Sequence, residues 1–148
     1  MGRESDIEAL KAAYPGAGTF VFGDSRDLCD ALLALVRAGR KRATCAALGD
    51  YDADDMPLPE VGRRDIALDW SGRPALVIET VEVTLARFCE VGEAFALDEG
   101  EDETLEGWRA GHQAYFERNG GFDPAMMLVC ERFRVVQDLA TPSEGGAG

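Results

Sequence analysis

Ala38-Gly39-Arg40-Lys41-Arg42-Ala43-Thr44 is the stretch on which the reading of this chain turns. Upstream of it, Leu28, Leu32, Leu35 and Val36 recur at helical spacing, with Asp24 or Ser25 available as the cap. Gly39 fits the left-handed position that closes such a helix. Downstream, Thr44 to Leu48 reads as the start of a strand. The basic residues therefore occupy a sharp exit from a helix, where side chains can project into a cleft. A helix that stops at a glycine and feeds a strand through a basic turn implies helices set among strands.

Working outward, Asp6 to Ala13 reads as a short helix ended by the Pro15-Gly16-Ala17-Gly18 turn. Asp50 to Pro59, with Asp52, Asp54, Asp55 and Pro57, reads as a polar loop. Asp65 to Trp70 and Pro74 to Leu85 read as strands joined by Ser71-Gly72-Arg73. Asp102 to Arg118 is the third helix, with Leu105, Trp108, His112, Tyr115 and Phe116 on one face. Leu128 to Val136 is a last strand, and Ala140 to Gly148 reads as a disordered tail. The pattern predicts an α+β domain on a small curved sheet or barrel.

A chain of 148 residues, 46% hydrophobic, is enough for a single domain with its own core. No apolar run approaches the roughly 18 residues needed to span a bilayer. The opening Met1-Gly2-Arg3-Glu4-Ser5-Asp6 lacks the apolar stretch of a secretory signal, so a cytoplasmic protein without membrane attachment is expected. Cys29, Cys45, Cys89 and Cys130 are widely scattered, with no C-x-x-C pair and His112 as the only histidine. They are expected to be free, mostly buried thiols, with no metal site and no cofactor. The net charge of −13 argues against a long duplex footprint. It is unevenly spread: Arg37, Arg40, Lys41 and Arg42 cluster, whereas Val91 to Gly107 carries seven acidic residues and no basic one. Such segregation allows a local positive pocket on an acidic molecule.

Together these segments resemble the ASCH family. The resemblance rests on Phe22-Gly23-Asp24-Ser25, Ala38 to Thr44 and Pro59-Glu60-Val61-Gly62. It continues through Glu99-Gly100-Glu101, Trp108-Arg109-Ala110-Gly111-His112-Gln113-Ala114-Tyr115-Phe116 and Val129-Cys130-Glu131-Arg132-Phe133. It implies a small PUA-like β-barrel flanked by helices over residues 22–137, preceded by a helix and turn (1–21) and followed by a tail (138–148). Function is then expected to be RNA-linked, the partner being single-stranded RNA, a nucleotide or a modified nucleoside. The reaction implied is hydrolysis of the ribonuclease type, with two alternatives left open. One is an amidohydrolase that removes an acyl group from a modified cytidine; the other is a non-catalytic binding module. By position, the family's lysine, threonine and glutamate correspond to Lys41, Thr44 and Glu99. After Thr44 the family usually continues with a small residue and a serine, whereas Cys45-Ala46-Ala47 supplies no hydroxyl.

The residues support a candidate site independently. Of 15 basic residues only Lys11 and Lys41 are lysines, so Arg is the default cation of this chain. Lysine can lose its proton when desolvated or crowded by cations such as Arg40 and Arg42, and then act as nucleophile or base. Thr44 could relay a proton or hold a carbonyl or phosphate oxygen. Glu99 could serve as acid–base partner. Arg40, Arg42 and Arg109 are candidate phosphate contacts, Trp108 or Tyr115 a stacking surface, and His112 an acid–base or binding group. A Cys45–His112 dyad is conceivable, but nothing in the sequence brings the two together.

Overall fold

The computed structural model describes residues 3–53 and 58–139. The expected tail beyond Leu139 and part of the expected polar loop lie outside the described residues. The helices are α1 (Arg3–Ala13), α2 (Arg26–Arg37), α3 (Leu48–Ala53), α4 (Glu93–Asp98) and α5 (Leu105–Arg118). The strands are β1 (Thr19–Val21), β2 (Ala43–Ala47), β3 (Arg64–Leu68), β4 (Pro74–Arg87) and β5 (Met127–Asp138). They form one curled sheet, a half-barrel, in the order β1-β3-β4-β5-β2. Among the described residues only the β1–β3 pairing is parallel. The architecture is α+β, as the element pattern predicts.

Local chemistry explains the main boundaries. The Ser25 side chain accepts the Leu28 amide at 3.2 Å and caps α2. At its far end Gly39 (φ 79°) adopts the left-handed conformation. The Gly39 amide bonds Val36 O and the Arg40 amide bonds Leu35 O, each at 3.0 Å, the double closure of a Schellman turn. On α5 the cap is Thr104, whose hydroxyl accepts the Gly107 amide at 3.0 Å. That helix therefore begins at Leu105, three residues later than expected. Two short helices also break expectation. α3 occupies the start of the expected polar loop, and α4 lies inside the acidic run, held by the fully buried Ala96.

Both faces of the sheet are covered. In the β3–β4 ladder Ile66 opposes Val77 and Ala67 opposes Leu76, so adjacent residues face opposite sides. Ala67, Leu76 and Ile78 pack with Leu32, Leu33 and Val36 of α2. Ile66 and Val77 pack with Leu10 and Tyr14 of α1. A third cluster joins Trp108 and Phe116 of α5 to Phe88, Ala96, Leu128 and Cys130. The segment that carries α1 and β1 is thus integral to the core, since α1 packs on the sheet and β1 extends it.

Candidate active site

Lys41 does not behave as a helix-terminal surface charge. Its amide joins the α2 closure by bonding Leu35 O at 3.1 Å, which turns the side chain inward, and the residue is 2% exposed. Its Nζ donates to Ala43 O at 2.8 Å, to Glu99 Oε1 at 2.9 Å and to Glu101 Oε2 at 2.9 Å. Glu99 is equally buried, at 1%. The two segments that meet here are 58 residues apart and are clamped through backbone. The Arg42 amide bonds Asp98 O at 2.7 Å. Gly100, with φ 75°, lies so close that a Cβ would overlap the Arg40 carbonyl. Glycine is required there on both counts.

His112 completes the cluster. Its Nδ1 lies 2.9 Å from Trp108 O, which can only accept, so Nδ1 carries a hydrogen. Nε2 faces Glu99 Oε1 at 3.5 Å, and the ring stacks on Trp108 with centroids 4.3 Å apart. A neutral ring would then turn a lone pair towards a carboxylate, so the arrangement favours the imidazolium. Burial pulls the His112 pKa down, but the bonding and charge of Glu99, with Glu101, outweigh it and leave it raised. The same contest decides Lys41. Burial opposes its charge, yet Glu99 and Glu101 hold its pKa above the ordinary value. Glu99 is pushed up by burial but held well below the usual carboxylate range by Lys41 and His112. Glu101 goes the other way, because burial and the Glu99 charge exceed what Lys41 returns. Lys41 and His112 both lie against Glu99, whereas Glu101 pairs with Lys41 alone, so the more exposed carboxylate keeps the greater proton affinity.

These groups open onto a cavity of about 600 Å³ between α2, β1, α5 and the β2–β5 part of the sheet. Lys41, Thr44, Glu99 and His112 all line it, together with Tyr115, Glu101 and Glu131. Other residues expected at the site lie elsewhere. Arg40 and Arg42 are exposed and line no part of the cavity; Arg42 pairs with Asp98 at 2.9 Å. Trp108 is fully buried, stacked against Phe88 at 5.3 Å, so it is core and offers no face to a base. Arg109 bonds Cys89 O at 3.3 Å outside the cavity, its Nε buried without a partner among the described residues. Helical spacing put Trp108 and His112 on one face correctly, but that face divides between core and cavity.

Cys45 and His112, which sequence could not place together, are neighbours here. Sγ of Cys45, a carboxylate oxygen of Glu99 and a ring nitrogen of His112 lie within 4.8 Å of one another. As a nucleophile Cys45 is poorly served, since burial and then the Glu99 charge push its pKa well up and keep the thiol protonated. The three atoms could in principle ligate a metal. The Lys41 ammonium, 2.9 Å from the same carboxylate, already supplies a cation there and opposes a second. The four cysteines are free, with Cys29 and Cys130 buried and Cys89 exposed. With Arg63, Asp65 and Arg118, Glu131 is one of several lining residues that sequence reasoning missed. Its place opposite Thr44 in the β2–β5 ladder appears only once the strands are paired.

The curled sheet with its flanking helices is a PUA-like fold. The chain belongs to the ASCH family: the ASCH domain profile matches residues 18–137. A solved protein of Enterococcus faecalis V583 is 33% identical, with a TM-score of 0.82, covering 99% of this chain and 94% of its own. An ASCH domain from Lactobacillus crispatus JV V101 is 28% identical, with a TM-score of 0.77 and coverage of 92% and 86%. No curated protein matches this chain. No helix among the described residues is long and apolar enough to cross a membrane.

Proposed function

We propose that this protein is a nucleoside-directed hydrolase that removes an acyl group from a modified cytidine, held as a neutral base in the cavity. One observation carries the choice of an amide over a phosphodiester: each cation on the cavity wall already has a carboxylate partner. Lys41 contacts Glu99 and Glu101, Arg63 contacts Asp65 at 3.1 Å, and Arg118 contacts Asp24 at 2.7 Å. Among the described residues the wall carries Asp65, Glu99, Glu101, Asp102 and Glu131 against Lys41, Arg63, Arg118 and the His112 imidazolium, itself paired with Glu99, five acids to four cations, a net of −1. A phosphate entering it would meet repulsion and no unmatched cation. An uncharged base bears no such penalty, and the Tyr115 ring, with Arg118 stacked over it at 5.2 Å, gives the same wall an aromatic surface.

Within this reading Lys41 acts as an ammonium. A lysine nucleophile needs a lowered pKa, and the buried Glu99 with the half-buried Glu101 enforces the opposite. The three hydrogens of the Lys41 ammonium are given to Ala43 O, Glu99 and Glu101, so it acts through its charge alone on the oxyanion that forms when water adds to an amide carbonyl. Thr44 lines the same wall and is suited to orient the carbonyl or the water. Glu99 keeps Lys41 charged and in place. The test is incubation of the purified protein with an N-acylated cytidine and, in parallel, with a single-stranded oligoribonucleotide. Release of cytidine with the oligonucleotide intact is expected, and Lys41→Met and Thr44→Val should each reduce it at least tenfold. Cleavage of the oligonucleotide with the nucleoside untouched would sink the proposal.

A further inference from the structure

We propose that Glu131 is the proton-carrying carboxyl of this cavity, taking a proton from the attacking water and returning it to the leaving amine. The inference rests on the amide-hydrolysis reading above and deepens it. Thr44 and Glu131 are direct partners in the β2–β5 ladder, so their side chains stand on one face of the sheet, Cβ atoms about 5 Å apart. Both line the cavity. Thr80, 1% exposed on β4 beside the register shift between Thr80 and Glu82, donates its hydroxyl to Glu131 Oε1 at 3.0 Å. The other carboxylate oxygen receives no hydrogen bond from the described residues. One oxygen is therefore anchored, and one is left for chemistry.

Glu99 and Glu101, the acids in contact with Lys41, are committed. Glu99 Oε1 lies 2.9 Å from Lys41 and 3.5 Å from His112, an ionised group whose work is to balance them. Glu101 is bound to Lys41 at 2.9 Å, so protonating it breaks that pair. Glu131 has no ion-pair partner among the described residues. The groups around it are Thr44 from β2, Thr80 from β4, Arg63 just before β3, Asp65 within it, and Tyr51 from α3. Burial lifts its proton affinity and Asp65 adds to the rise, against opposing effects of Thr80 and Arg63. Tyr51, pushed up to about 12, stays a neutral phenol beside it. Carboxyls of opposed proton affinity in one site are the arrangement by which enzymes divide acid–base work.

The step balances with water as the only co-reactant. As the water oxygen bonds the amide carbonyl carbon, its proton passes to the Glu131 carboxylate and negative charge moves to the carbonyl oxygen, facing the Lys41 ammonium. The carbonyl re-forms, the carbon–nitrogen bond breaks, and the proton on Glu131 passes to the departing nitrogen. A carboxylic acid and a free amino base leave, and Glu131 is again a carboxylate.

The experiment measures kcat and KM of the full chain on an N-acylated cytidine from pH 5 to 9, for wild type, Glu131→Gln and Glu101→Gln. Glutamine keeps the size of Glu131 and can still accept from Thr80. We expect kcat of Glu131→Gln to fall about 10²–10³-fold, with KM within threefold and loss of the acid limb of the kcat/KM profile. Turnover within tenfold of wild type, an unmoved acid limb, or a large kcat loss confined to Glu101→Gln each overturns the assignment. A wild type inert on acylated nucleosides overturns the parent reading and this one with it. An active wild type with an indifferent Glu131→Gln overturns this one alone.

Discussion

At the scale of the residue, Lys41 and Glu99 invert the expectation their identities raise. A lysine among arginines suggested a cation poised to lose its proton, whereas burial against two carboxylates secures it. The pairing sets a stability ledger with a definite sign. The folded pKa of Glu99 lies below its ordinary value of 4.5, so its contribution is complete above that value and is lost as pH falls towards the folded pKa. Glu99→Gln should cost about 3 kcal/mol at pH 7, because Lys41 then lacks one buried counter-charge. In urea melts the gap to wild type should hold down to about pH 5 and close below it. A gap independent of acid would contradict the pairing. The folded pKa of His112 is raised, so its contribution is complete below 6.5 and fades as pH rises through the folded value. The deficit of His112→Gln should therefore be larger at pH 6 than at pH 9, read from the same melts.

Among the elements, the site depends on one close backbone approach rather than on any long helix. Gly100 presses on the Arg40 carbonyl, and this contact carries Glu99 and Glu101 to Lys41. Gly100→Ala should destabilise by about 2 kcal/mol or more, combining positive-φ strain with overpacking. Calorimetry would show it, and a melting temperature equal to wild type would count against the clamp. Ser25→Ala, which removes only the α2 cap, should cost about 1 kcal/mol. The elements that were legible in the sequence were those with several turns or a clear punctuation mark. α2 announced itself by Leu28, Leu32 and Val36 and by Gly39, and β4 by its partial alternation. β1, α3 and α4 have three to six residues each and were not foreseen. So short a segment contains at most one or two periods, and its conformation is imposed by neighbours such as β3 for β1 and the Arg42 amide for the end of α4.

For the whole molecule, the charge of −13 and the matched cations of the cavity make one prediction about recognition. Binding of a neutral nucleoside should be nearly indifferent to salt, whereas a ligand held by several phosphate contacts should weaken at least about tenfold between 50 and 200 mM. Titration calorimetry at the two salt concentrations separates the cases. A steep salt dependence for the bound ligand would return the argument to the phosphodiester.

The Lys41 turn, the capped helix before it, the α+β class and the family were all determined by the sequence itself. They rest on local conformational chemistry and on short motifs in fixed order. What the turn can do was decided only by tertiary structure. Whether Lys41 is neutral or charged, whether Trp108 is core or platform, and that Glu131 stands across from Thr44 depend on groups brought together from 20 or more residues away or on strand register. Proton affinity and burial belong to an environment, and an environment exists only after the chain has closed upon itself.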